Sequence, residues 1–447
     1  MTNTRIGAGV WPIVALCLLA SPAAPAADAP RLPGLDAAYP TLDALYVDLH
    51  RNPELSLHEE KTAVKLAERL RALKFEVVEH VGGNGVVGVL RNGRGPTVLV
   101  RTDMDALPVK EQTGLPYAST VSAKNDSGET VPVMHACGHD IHMASWIGAA
   151  TLLTEDRSRW HGTLVFVGQP AEELLRGAEM MVADGLLTRF PKPDFVLGIH
   201  DTNLIPSGQV GVLGGPSSAA SNAVDVTFYG RGGHGASPHR TIDPLLIAAR
   251  TVVTLQTIVS REVNPFDPAV VTVGTFHAGT KRNIIPDEAK LELTVRSYKP
   301  KVQQQLLTAI ERIAKAEAAA ARAPREPAVV VDKREASEVV FNDPALAARL
   351  TTALRRGLGD ANVVAGEPTT GSEDFGVFGR AAGAPSIQLR VGAVAPDEFA
   401  KAKAEGKDTP GPHSSLFAPD RERTIRAGVA ALTLSVLELL GPTAVPR

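Results

Sequence analysis

Apolar positions recur with a helical period over Thr41–Leu49, ending near Asn52-Pro53, and again over His58–Leu73. Short β-rich runs then appear at Gly85–Leu90, Thr97–Arg101, Thr163–Gly168 and Phe195–His200, separated by helical stretches at Ile141–Leu153 and Leu174–Leu187. This alternation predicts an α/β layer on a mixed, largely parallel sheet, where ligands gather at the ends of strands. Three polar clusters fall at such ends: Arg101-Thr102-Asp103-Met104-Asp105, Gln169-Pro170-Ala171-Glu172-Glu173, and His200-Asp201. They are expected to share one rim.

From about Ser217 the pattern changes. A strand at Val224–Tyr229, a helix at Ile242–Val259, strands at Val270–Phe276 and Lys290–Arg296, a helix at Lys301–Ala320 and a strand at Ala328–Val331 follow one another. The order β-α-β-β-α-β is that of a split βαβ sandwich, and it predicts a compact α+β domain inserted into the first. Gly214-Gly215-Pro216 and Asp332–Ser337 are the expected hinges. The first domain then resumes with helices at Pro344–Leu358 and Arg421–Leu440 around a strand at Ser386–Leu389. The predicted organisation is therefore a catalytic domain over 30–215 and 333–447, with the insertion at 217–331.

Length supports the division, since 447 residues exceed what one hydrophobic core usually serves. With 44% apolar and 21% charged residues the composition is that of a soluble globular protein, and a formal charge of −3 offers no basic footprint for nucleic acid. The start of the chain adds an address. Arg5, the apolar run Val10–Ala20 and the small-residue tail containing Ala24-Pro25-Ala26 predict a signal peptide over 1–26, hence a periplasmic or secreted protein with no membrane anchor after cleavage. Cleavage leaves Cys137 as the sole cysteine. A lone thiol in an oxidising compartment favours a chemical role for it.

That thiol lies in His135-Ala136-Cys137-Gly138-His139-Asp140, just before an apolar helix. Cysteine binds metal as thiolate, and a divalent ion displaces its proton, so Cys-x-His is a good metal half-site. Cys137, His139, Glu173, His200 and His413 are the expected ligands. Thiolate, imidazole and carboxylate together suit Zn²⁺, Mn²⁺, Co²⁺ or Ni²⁺ and fit Ca²⁺ or Mg²⁺ badly. Five ligands exceed one tetrahedral site, which predicts two ions bridged by a shared ligand. In the adjacent pair Glu172-Glu173, one carboxylate is expected to bind metal and the other to act as a base. His234, in the glycine-rich turn Gly232–Ala236, is the candidate donor to a tetrahedral oxyanion.

Seven stretches taken together carry a resemblance: Asp48–Leu55, Asp103–Pro108, His135–Asp140, Gln169–Glu173, Gly232–His239, Asn283–Asp287 and Gly371–Phe375. In order and over nearly all of the mature chain, they resemble the aminoacylase/carboxypeptidase metallohydrolases, nearest the branch of indole-acetyl-amino-acid and hippurate amidohydrolases. The resemblance implies a dinuclear amidohydrolase that cleaves N-acyl amino acids, with an inserted lid that forms a homodimer. It implies that Cys137 bridges the ions, with His139 and His200 on one and Glu173 and His413 on the other, and that Glu172 is the general base. Asn283 and Arg296 would recognise a substrate carboxylate, and His234 would reach in from the lid of the partner subunit. Asp103, Asp140, His142 and Glu373 would support the ligands. Other branches carry His-x-Asp where Arg101-Thr102-Asp103 stands, so here His139 is expected to replace that ligand. A dipeptidase or carboxypeptidase on the same scaffold, and a non-catalytic binder of small molecules, are the alternative readings.

Overall fold

The computed structural model describes residues 32–441, so the expected signal peptide lies outside the described residues. Among the described residues no helix is long and apolar enough to cross a membrane. The centre is an eight-stranded sheet in the order Glu76–Val78, Val86–Asn92, Gly162–Gln169, Thr97–Asp103, Phe195–Pro206, Ser386–Val394, Val210–Val212, Val363–Ala365. The inner pairings from Gly162–Gln169 through Ser386–Val394 are parallel, and antiparallel strands complete one edge. The mixed, mostly parallel α/β sheet expected from the alternation is thus the one that forms.

Parallel strands are covered on both faces and read as continuous apolar runs. Thr97–Asp103 and Ser386–Val394 are buried along almost their whole length accordingly. The helix His139–Glu155 is the central covering element. Fourteen of its seventeen residues are buried, which is why its sequence shows an apolar run and no polar face. It packs between Leu35–Arg51, Arg421–Leu440 and the sheet. Gly428 permits the closest approach, since a Cβ there would lie 2.3 Å from Ser145 Oγ. Trp146 anchors the helix: its ring lies 5.1 Å from that of Phe166 and its indole N–H donates to the Val100 carbonyl at 3.0 Å.

The inserted segment builds a separate antiparallel sheet in the order Ala269–Ala278, Glu288–Ser297, Ala220–Tyr229, Ala328–Ser337. Helices Pro244–Thr257 and Pro300–Ala320 cover one face, with Val226, Phe228, Ile247, Leu291, Leu306 and Ile310 in a core of their own. Along Glu288–Ser297 burial alternates strictly, so Ala289, Leu291, Leu293 and Val295 face the helices while Thr294 and Arg296 take the other face. The last strand runs through the stretch expected to be the second hinge, as far as Ser337, which pairs with Ser221.

One helix expected from periodicity is not continuous. Over Leu174–Leu187 the chain forms Gly177–Ala183 and Leu186–Arg189, broken at Gly185 with φ 90°. Leu174–Arg176 belongs to a tight turn: the Leu175 N–H donates to the Glu172 carbonyl at 2.6 Å, and the Arg176 and Gly177 N–H groups to that of Ala171. Ala171 and Leu175 adopt positive φ there, and apolar spacing carries no signal of that geometry.

Truncating the central anchor tests this packing. Trp146→Ala is expected to lower unfolding free energy by about 3–5 kcal/mol in chemical denaturation, whereas the same change at exposed Val253 should stay within about 0.5 kcal/mol.

Candidate metal centre and active site

The cluster begins where Gly138 turns the chain into the central helix. Gly138 has φ 75°, and a Cβ on it would lie 2.0 Å from Asp201 Oδ2. Only glycine lets Cys137 and His139 project beside the sheet so close to a neighbouring strand end. Glu172 and Glu173 sit in the tight turn after Gly162–Gln169, and both their N–H groups donate to the Asp105 carboxylate, at 3.1 and 3.0 Å. His200 stands on Phe195–Pro206, and His413 comes from the loop before the last helix, its N–H donating to the Ala136 carbonyl at 2.7 Å. Strand ends and loops distant in sequence thus meet on one rim.

The atoms converge. Cys137 Sγ lies 3.6 Å from His200 Nε2, His413 Nε2 lies 3.3 Å from Glu173 Oε2, and His139 Nε2 lies 3.8 Å from both Glu172 and Glu173. Ligand atoms of Cys137, His139 and His200 fall within 4.8 Å of one another, as do those of Cys137, Glu173 and His413. Cys137 belongs to both triads, the position a bridging ligand would take.

Hydrogen bonds on the far side of each ring fix which nitrogen faces the cluster. His139 Nδ1 is held by the Asp105 carbonyl at 2.7 Å, and His200 Nδ1 by the Asp201 carbonyl at 2.7 Å. A carbonyl accepts only, so each Nδ1 carries a proton and Nε2 is the nitrogen left to bind a cation. His139 Nε2 and Glu173 Oε1 are both buried with no hydrogen-bond partner. Buried polar atoms left in this state are costly unless something binds them. The donor set and its orphaned atoms fit a pair of divalent cations.

Electrostatics points the same way. Burial, then Glu373 and Glu173, holds the Glu172 carboxyl well above the ordinary carboxylate range. Burial, then Glu173 and Glu172, pushes the Cys137 thiol up. Burial alone would depress His139, but Asp103, Asp105 and Glu173 outweigh it and drive its pKa well above normal. These three groups are shifted toward binding a proton, whereas burial, then His142 and Arg390, holds His200 well below its ordinary value, so its imidazole is neutral and able to ligate.

The expected supporting residues form a layer beneath. His142 Nδ1 contacts Asp103 Oδ1 at 2.7 Å, and its Nε2 accepts from the Asp201 N–H at 2.9 Å. Glu373 accepts from Arg101 Nη2 at 2.9 Å and from Gln388 at 2.6 Å. Asp140 meets no ligand directly; it holds His50 at 2.6 Å and receives the Ile141 N–H in the first helical turn. Asp105 and Glu59 escaped the sequence reading. Glu59 is fully buried and accepts from the Ala171 N–H at 2.8 Å, so it helps fix the turn that presents Glu172. Asp105 lay within a polar stretch already singled out, but its backbone partners are not visible in sequence.

A cavity of about 620 Å³ opens over the cluster. Cys137, Glu172, Glu173, His200 and His413 line one wall, and Thr294 and Arg296 of the inserted segment line the other. Arg296 donates to Ser372 Oγ and to Thr294 Oγ1. His234 and Asn283 are not part of this cavity. They lie together and exposed on a short ladder that pairs His234 with Ile284, where the Gly235 N–H donates to the Asn283 carbonyl.

A two-part hydrolase scaffold with a candidate dinuclear centre at strand ends defines a class of metallohydrolase. Residues 99–410 match peptidase family M20/M25/M40, and the chain belongs to that family. It is 36% identical over 334 residues to thermostable carboxypeptidase 2 of Saccharolobus solfataricus, covering 74% of this chain and 80% of that one. It is also 36% identical over 332 residues to the hippurate hydrolase of Campylobacter jejuni, covering 74% and 82%. The crystal structure of a dinuclear metal-binding M20 peptidase from Bacillus subtilis superposes with a TM-score of 0.73 at 30% identity, covering 91% of this chain and 100% of that one. The protein is therefore a metal-dependent hydrolase of this family.

The buried guanidinium of Arg101 holds Asp103 and Glu373 in place. Arg101→Met, which strands these carboxylates, is expected to cost about 3–5 kcal/mol in denaturant unfolding. Arg101→Lys should recover part of that loss by restoring charge without the fork.

Proposed function

We propose that the protein hydrolyses the amide bond of N-acyl amino acids, releasing a carboxylic acid and an amino acid, in the periplasm or outside the cell. The observation that carries the reading is the pairing, across one cavity, of Glu172 at the metal triads with Arg296 on the facing wall. Cys137, His139 and His200 would hold one divalent ion and Cys137, Glu173 and His413 the other, with zinc, manganese, cobalt or nickel suited to these donors. Such a pair, when bound, lowers the pKa of a water and polarises a carbonyl. Glu172 takes the proton of the attacking water and later delivers it to the departing amine nitrogen. The Arg296 guanidinium receives the substrate carboxylate and sets which amide reaches Glu172.

His234 and Asn283 enter by a different route. Both are exposed in the single chain, which supports a second copy whose inserted segment reaches across. In such a homodimer His234 donates to the oxyanion and Asn283 to the substrate carboxylate. The identities to a carboxypeptidase and to a hippurate hydrolase leave dipeptides as the second substrate class, and they favour amides flanked by a free carboxylate in both cases.

Chelation is expected to abolish hydrolysis of benzoyl- and acetyl-amino acids, with activity restored by added metal. Glu172→Gln should lower kcat by about 10²–10⁴-fold while metal analysis still finds two ions per chain; an unchanged rate would remove Glu172 from the mechanism. For the shared site, His234→Ala and Glu172→Gln chains are each inactive, and mixing them should restore roughly one quarter of wild-type activity. No recovery on mixing would place His234 outside the partner's site.

A further inference from the structure

Among the described residues two arginines line the cavity, Arg296 and Arg390, and the reaction above uses only the first. Arg390 lies on the fully buried strand Ser386–Val394, directly beside His200 in the parallel pairing. It is 8% exposed. A strand covered on both faces has no general place for a guanidinium. The other buried arginine, Arg101, shows how such a group is normally accommodated, with carboxylates at hydrogen-bond distance. Arg390 lacks that arrangement. Its Nη2 donates to Ser218 Oγ at 2.9 Å, its Nε is buried without a partner, and among the described residues no carboxylate oxygen comes within 4.0 Å of it. Glu373, Cys137, Asp201 and Glu172 act on it only from a distance. A buried cation without a counter-charge is costly, and a ligand carboxylate would relieve it.

Its placement restricts the ligand. Arg296 donates to Ser372 Oγ, which in turn donates to the Ala219 carbonyl at 3.3 Å, and Arg390 is tied to the neighbouring Ser218. Both guanidiniums are thus tied, Arg390 directly and Arg296 through Ser372, to the consecutive residues Ser218 and Ala219. Two carboxylates on the same half of the substrate match this better than one at each end.

Building on the reading of the protein as an N-acyl-amino-acid hydrolase, we infer that the leaving amino acid is acidic: Arg296 takes its α-carboxylate and Arg390 the side-chain carboxylate of an N-acyl-aspartate or N-acyl-glutamate. The uncharged isostere N-acyl-glutamine would leave Arg390 unpaired.

The test compares N-acetyl-L-glutamate with N-acetyl-L-glutamine on metal-loaded enzyme, and free L-glutamate with L-glutamine in calorimetric binding. Wild type is expected to prefer the glutamate substrate by about 100-fold in kcat/KM, chiefly through KM, and to bind glutamate in preference to glutamine. In Arg390→Leu both preferences should collapse to about threefold or less, and Arg390→Lys should retain part of them. If Arg390→Leu does not fold, the wild-type comparison decides alone. Equal turnover and equal binding of the two by wild type overturn the second anion site while leaving amide hydrolysis intact. Selective glutamate binding with no turnover of any N-acyl amino acid overturns the reaction and upholds the site.

Discussion

The arrangement depends on one buried guanidinium. Arg101 donates through Nε to Gln169 at 2.8 Å, through Nη1 to Asp103 at 2.5 Å and through Nη2 to Glu373 at 2.9 Å. These partners come from adjacent strand ends and from a loop 272 residues further along, beyond the inserted segment. A buried ion cluster of this kind gains little net stability over apolar packing, because desolvation offsets the attraction. What it secures is position. The planar fork dictates where each carboxylate lies, and through Asp103 and His142 it reaches the strand end that carries His200. The arginine that cannot bind a cation therefore organises the side chains beneath the residues that can.

One guanidinium does not balance the acids around it. Burial, opposed by Arg101 and aided by Glu373, pushes Asp374 up to about 8, while Arg101 holds Glu373 below the usual carboxylate range despite its burial. Charge compensation is thus spent on Asp103 and Glu373. The other end, with Glu172, Glu173 and Cys137, is left short of positive charge, and it is there that unpartnered donor atoms converge. The division explains why adjacent glutamates are tolerated in a nearly dry turn. Asp105 fixes both backbones, and Glu173 Oε1, buried with no hydrogen-bond partner, is the oxygen a cation would take.

Much of this was legible in the sequence because its signals are local. Periodicity located Pro344–Leu358 and Arg421–Leu440 to the residue, and apolar runs located the parallel strands. The triads follow from Cys137-x-His139, from polar clusters at strand ends and from His413 in the loop before the last helix. What escaped depends on pairing across the fold. Nothing in the spacing of Leu174–Leu187 reveals that Glu172 needs a strained turn, with Ala171 at φ 49° and Glu59 reaching over to hold it. Nothing in Ser386–Val394 distinguishes Arg390 from an arginine with an acidic partner. His50 is a similar case: its role between Asp140 and Glu111 appears only when Leu35–Arg51 is laid against the central helix.

The cavity also divides its labour between the two sheets. The catalytic domain supplies the candidate ligands from strand ends, turns and the start of its central helix, held by the Asp105 and Asp201 carbonyls and the Asp105 carboxylate, so their geometry is fixed before any substrate arrives. The inserted sheet supplies Arg296 from a strand whose opposite face is its own hydrophobic core. The strict alternation that buries Leu291, Leu293 and Val295 leaves Thr294 and Arg296 free to vary without cost to that core. Selectivity encoded on such a face changes by single substitutions, whereas the catalytic wall is tied into a network where each side chain holds another. Arg390 breaks this division, because it is a selective group planted on the catalytic sheet beside a candidate ligand. A charge placed there is retained against its desolvation cost only if something in the cavity regularly meets it.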